Sequence, residues 1–211
     1  EDPAEEVSLV EAQKQNTNAE VGDILKVPVH SDKFGRIATQ NAKNVILQKI
    51  REEERKVLFD QYHGNEKEVV TGIVQRVVGH NVSVNLGKAD AILAENEQVK
   101  GETFKPTERI KVYILEVKDT PKGPRILVSR THPGLVKRLF ESEVAEVKDG
   151  TVEIKSIARE AGSRTKLAVW SNDPDVDPVG ACVGVNGARV SAIVNELRGE
   201  KIDIINWDEN P

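Results

Sequence analysis

The chain has 211 residues, enough for one or two ordinary domains or three small ones. Hydrophobic residues make up 38% and charged residues 31%, a balance typical of soluble globular chains with polar surfaces, and aromatics are only 4%. The net charge is −5, which by itself argues against a nucleic-acid partner, and no run approaches the roughly 20 apolar residues of a membrane helix.

Charge distribution tells a different story from net charge. Residues 1–25 hold seven acidic groups against one lysine. Residues 105–140 hold nine Lys/Arg against three Asp/Glu. A basic stripe can bind phosphate on an acidic protein, because salt confines each field to about 10 Å. Cys182 is the only cysteine, which excludes an internal disulfide and a cysteine zinc cluster and makes a reducing cytoplasmic setting the expectation. The acidic start lacks the pattern of a signal peptide. With no methionine at all, the chain is expected to begin inside a longer protein.

Residues 1–64 form a first part. Asp23 to His30 alternates weakly and could be a strand. After Gly35, the positions Ala42, Val45, Ile46, Ile50, Val57 and Leu58 form an apolar stripe at helical spacing. That helix is expected to run to about Tyr62. This part has little core of its own and resembles the end of a domain.

Residues 65–131 read as all-β. Val69 to Val78 is rich in β-branched residues, with Gly72 where a bulge would bend it. Val82, Val84 and Leu86 alternate, Ala91-Ile92-Leu93 is a short apolar run, and Arg109 to Val117 puts Ile110, Val112 and Ile114 on one face. Pro121 to Pro124 is a turn before a last strand, Arg125 to Ser129. Five short strands in this span suit a small closed barrel of the OB type.

Residues 132–211 read as helix, strand, strand, helix, helix, strand. Pro133 opens a helix with Leu135, Val136, Leu139 and Phe140 on its apolar face. A strand pair over 151–171 turns at Ala161-Gly162-Ser163, and an Asp/Pro-rich loop follows. Two helices are then separated by Gly184-Val185-Asn186-Gly187, and Lys201 to Trp207 closes as a strand. A G-x-x-G between two helices is the arrangement by which KH folds hold single-stranded RNA. Glycines let a sugar-phosphate backbone approach the main chain, and a helix start at Gly187 would offer unpaired N–H groups to a phosphate. Ala188 and Arg189 open that second helix. The fold class expected is therefore multidomain α+β: a helical region, a five-stranded OB-type barrel, and an α/β KH domain of type II order.

Other chemistry is thin. His30, His63, His80 and His132 lie on different elements and none has metal-ligand spacing. Asp173, Asp175 and Asp177 lack the glycine and closing glutamate of a calcium loop. No phosphate-binding loop or nucleophile-elbow motif is present. Neither catalytic residues, nor a cofactor, nor a metal is expected.

Several long runs resemble the NusA family of bacterial transcription factors: FGRIATQNAKNVILQKIREEER, TGIVQR, RIKVYILEV, LVSRTHPGLVKRLFE, DGTVEIKSIAREAGSRTK, DPDVDPVGACVG and ARVSAIVNELRGEKIDIINW. The resemblance implies three modules: the end of a polymerase-binding N-terminal domain at 1–64, an S1-type barrel at 65–131, and the first of two KH domains at 132–211. The first part of the N-terminal domain and the second KH domain are expected to be missing. It further implies a non-enzymatic, monomeric cytoplasmic protein that contacts the RNA polymerase core, nascent single-stranded RNA and other Nus factors, and modulates pausing, termination and antitermination. Two departures matter. NusA-like KH loops usually place Pro-Lys between the glycines, where Val185-Asn186 stands here, so this loop has no lysine for a charge-assisted bond to phosphate. RNA-binding S1 barrels usually carry aromatics after the first hairpin glycine, where only His80 could stack here. The candidate RNA contacts are therefore Gly184, Val185, Asn186, Gly187, Ala188 and Arg189 in the loop, with Lys111, Arg125, Arg130 and His80 on the barrel. Alternatives are an accessory RNA-binding region of an RNA-degrading enzyme such as polynucleotide phosphorylase, where KH precedes S1, and a protein-interaction scaffold.

Overall fold

The computed structural model describes residues 7–15, 18, 20–24, 35–121 and 123–208. Two compact units divide at Ile50 and Arg51. In the first, a short helix α1 (Leu9–Gln15), which composition did not announce, buries Ala12. The strand expected over Asp23 to His30 lies, from residue 25 on, outside the described residues.

A 28-residue helix, α2 (Arg36–His63), runs through the dividing point. Its apolar stripe is used only in part. Val45, Ile46, Ile50 and Val57 are exposed, whereas Leu58, Phe59 and Tyr62 near its C-terminus pack into the barrel core. The Tyr62 hydroxyl donates to the Leu86 carbonyl (3.1 Å), and Arg55 donates to the Pro121 carbonyl (2.5 Å).

Five strands close into a barrel: β1 (Val69–Val78), β2 (Asn81–Asn85), β3 (Asp90–Leu93), β4 (Arg109–Lys118) and β5 (Arg125–Ser129), in spatial order β1-β2-β3-β5-β4. The β3–β5 pair is parallel and the others antiparallel. Alternation places Val74, Val82, Val84, Ile110, Val112, Ile114 and Val128 inside. The bulge of β1 falls between Val74 and Arg76, not at Gly72. Gly72 serves packing instead: a Cβ there would stand 2.3 Å from Val84 Cγ1. A second irregularity between Ile114 and Glu116 lets Val117 rejoin the core.

The remainder of the second unit is α3 (Pro133–Glu143), α4 (Ala145–Lys148), β6 (Val152–Glu160), β7 (Arg164–Ser171), α5 (Pro178–Val183), α6 (Ala188–Glu196) and β8 (Lys201–Asn206). This is the expected order with one addition, the single turn α4. The sheet runs β6-β7-β8, with β6–β7 antiparallel and β7–β8 parallel. His132 caps α3 by accepting from Gly134 N (2.9 Å) and stacks on Tyr113, ring centroids 4.7 Å apart. Tyr113 belongs to the core of this α/β domain although it sits on β4 of the barrel, and Val69 and Leu115 pack there too. The outer face of the barrel is thus one wall of the neighbouring core.

Candidate nucleic-acid interface

The loop between α5 and α6 is built by capping and by glycine geometry. Asp177 starts α5 by accepting from Val179 N (3.1 Å) and Gly180 N (3.0 Å). The helix ends at Gly184, whose φ of +73° only glycine adopts without strain. Val185 to Gly187 form one tight turn in which Asn186 is left-handed (φ 52°) and Gly187 likewise (φ 75°). Asparagine tolerates that region better than other side chains. Val185 is 83% exposed, and Asn186 and Ala188 are exposed or partly so.

Free donors sit one step earlier than expected. The amides of Gly187 and Ala188 donate within the turn, to Gly184 O (3.1 Å) and Val185 O. Those of Val185 and Asn186 have no backbone acceptor among the described residues. A phosphate approaching this loop would therefore meet the two residues between the glycines first.

Arg189 does not project from the loop. Its stem lies against Gly184, where an added Cβ would meet Arg189 Cγ at 2.7 Å. Its Nη1 donates to the Ala181 carbonyl (2.7 Å) and to Glu146 Oε2 (3.0 Å).

On the barrel, a cleft of about 460 Å³ opens over β1, β2 and β3 beside the β4–β5 turn. Arg76 and Arg125 line it with Val78, Asn81, Ser83, Asp90, Ile92 and Pro124. The structure thus pairs Arg125, a sequence candidate, with Arg76, which sequence reasoning missed. The missing signal was the bulge before Arg76, which resets the alternation of β1. His80 sits in the β1–β2 turn outside this lining, with its exposed ring 3.6 Å from Glu95.

Lys111 lies apart from that cleft, in another of about 640 Å³ between β1, β4 and α3, also lined by Glu68, Thr71, Arg138, Ser142 and Lys148. Its Nζ is 3.9 Å from Glu143. Arg130, expected as a surface contact, is instead buried, donating to both Glu102 oxygens, to Lys111 O and to Glu196 O. A guanidinium so committed has no charge to offer a phosphate. The basic stripe is likewise diminished: Arg138 pairs with Glu68 and Glu141, and Lys118 with Glu116. Lys105, Arg109, Arg125 and Lys137 are in no ion pair among the described residues.

Cys182, buried on α5, has its thiol pushed up to about 11 by burial. It is a core residue in this structure, not a reactive one. Among the described residues, no three His, Cys, Asp or Glu side chains stand together as a metal site requires.

Three family models match the chain in succession: the NusA N-terminal domain at residues 1–56, the S1 RNA binding domain at 64–129, and the NusA-like first KH domain at 130–207. Curated relatives agree. Over 206 residues, or 98% of this chain, it is 56% identical to the transcription termination/antitermination protein NusA of Bacillus subtilis, covering 56% of that protein. It is 53% identical, again over 98% of the chain, to the protein of the same name from Halalkalibacterium halodurans, covering 54% of it. For Thermus thermophilus the identity is 43% over the whole chain and 55% of the relative. The chain spans about half the length of the curated relatives it matches. With N-terminal, S1 and first KH models matching in order along nearly all of its length, the chain belongs to the NusA family.

Proposed function

We propose that the chain holds single-stranded nascent RNA for a bacterial transcription termination and antitermination factor, with the RNA polymerase core and other Nus factors as its protein partners. In this reading it is a cytoplasmic monomer that positions RNA and transforms no bond. Its modules are a polymerase-facing part at 1–64, the barrel at 65–131 and the KH domain at 132–211. The names of the relatives support the setting. The observation that carries RNA contact is the loop Gly184–Gly187, where Val185 and Asn186 stand exposed between two glycines and their amides have no backbone acceptor among the described residues. The cleft flanked by Arg76 and Arg125 supplies the cationic contact that the loop itself lacks.

The test is binding to a fluorescein-labelled single-stranded RNA at two salt concentrations. Replacing Val185 and Asn186 together with Asp puts two carboxylates where a phosphate would lie. Affinity is expected to fall at least tenfold while the melting temperature barely moves, because both side chains are exposed. Unchanged affinity would remove this loop from the RNA path.

A further inference from the structure

Resting on that RNA-binding reading, we infer that Arg189 is a positioning residue: with Glu146 it fixes the shape of the Gly184–Gly187 loop and makes no phosphate contact of its own. Sequence placed Arg189 among the residues that touch RNA. The geometry gives it a different task.

Three contacts converge on this side chain. Its stem fills the space beneath Gly184, so close that any Cβ on Gly184 would collide with Arg189 Cγ at 2.7 Å and Cδ at 3.0 Å. Its Nη1 is held inward, donating to the Ala181 carbonyl at 2.7 Å. That carbonyl lies in the last turn of the six-residue α5, whose final carbonyls have no partners within the helix. The same Nη1 donates to Glu146 Oε2 at 3.0 Å, and Glu146 sits on the separate turn α4. Both side chains of the pair are about one-third exposed, so the pair is partly shielded from water. One guanidinium thus ties the end of α5, the start of α6 and α4 around the loop.

The loop needs such a tie. Gly184, Asn186 and Gly187 all have positive φ, and Asn186 is held in the left-handed region within a turn of three residues. A left-handed non-glycine residue persists only where its surroundings hold it. Arg189 is the side chain that packs directly against the hinge glycine.

The two roles predict opposite signs for one substitution. Glu146→Gln removes a carboxylate and loosens Arg189. If Arg189 bound phosphate, the freed guanidinium and the missing negative charge would raise RNA affinity. If it positions the loop, affinity falls.

The experiment uses the whole chain, a fluorescein-labelled 15-nucleotide oligouridine, and Kd measured at about 50 and about 200 mM salt. Wild type, Glu146→Gln, Arg189→Met and the double variant are compared. Positioning predicts a several-fold loss for each single variant, no further loss in the double, and an unchanged slope of log Kd against log salt. It also predicts faster amide hydrogen exchange at Val185 to Ala188 in Glu146→Gln without RNA. Tighter binding by Glu146→Gln, or a slope reduced by about 0.7 in Arg189→Met, would assign Arg189 to a phosphate and overturn the inference. Unchanged exchange in Glu146→Gln would overturn it whatever RNA does. The RNA reading fails separately, if the Val185/Asn186 double-Asp variant binds like wild type while the exchange result stands. Should Arg189→Met not fold, Glu146→Gln alone still decides, since Glu146 is partly exposed on its turn.

Discussion

Arg130 and Glu102 meet as a two-pronged ion pair, Nε to Oε2 and Nη2 to Oε1 both at 2.7 Å, with only 1% and 5% of the two side chains exposed. Arg130 follows the last barrel strand and Glu102 precedes β4, while the remaining donors of Arg130 reach Lys111 O and Glu196 O. Removing one partner leaves a buried charge unanswered. Arg130→Met is expected to lower unfolding free energy in urea by about 3–5 kcal/mol. Adding Glu102→Leu should recover much of that loss, because the orphaned carboxylate goes with it. A loss under about 1 kcal/mol in the single variant would mean that water or Arg198, 3.9 Å from Glu102, takes over the role.

Glu200 gives a pH dependence with a definite sign. Burial pushes its carboxyl upward, but donors from Arg159 (2.9 Å to each oxygen), Thr165 (2.5 Å) and the Gly162 amide (2.8 Å) hold it below the usual range. A depressed carboxyl contributes its stability in full above the unfolded value of about 4.3 and loses it as pH falls toward the folded value. Stability of the wild type should therefore decline below about pH 4.3, and Glu200→Gln should be less stable at neutral pH but flatter through that acid range. Parallel curves for the two proteins would sink the idea.

Gly72 is a packing glycine. Ala at that position would press on Val84 Cγ1 and lie 3.2 Å from the Asn85 carbonyl. Overpacking of this kind costs about 1–3 kcal/mol, so Gly72→Ala should melt several degrees lower. A companion Val84→Ala, which removes the nearest atom, should restore part of the loss.

Cys182 is shielded by burial on α5. At pH 8 its thiol should react with an aromatic disulfide reagent far more slowly than free cysteine, and at an ordinary rate in denaturant. Prompt labelling of the native chain would show that α5 opens readily, and with it the loop that α5 supports.

Arg76 and Arg125 face one cleft, so Ala at either should weaken RNA binding and lower the salt slope by about 0.7 for each phosphate left without its cation. Arg130→Met should leave the slope alone despite its charge, since that guanidinium is internal.

The barrel strands and the α/β order were readable because alternation and helical spacing record which side chains face inward, and both domains follow those periods. What escaped were features decided by distant partners. Arg130 looks like a surface cation at a strand end, and only folding brings Glu102 and Glu196 to it. Arg76 was hidden by a bulge that leaves no mark in the local pattern. Gly72 was read as a bend because glycine in a strand signals either a bulge or a close approach, and the neighbour that decides, Val84, lies on another strand. The glycines of the loop were legible, while the assignment of Arg189 was not, since its role depends on Glu146, 43 residues away.

Tyr113 sits on a barrel strand yet lies within the core of its neighbour, stacked on the residue that caps α3. Severing the chain after residue 131 would therefore strip Val69, Tyr113 and Leu115 of their cover and leave a sticky patch on the excised barrel. The two folds share a party wall, so neither can be rebuilt, swapped or melted as an independent house.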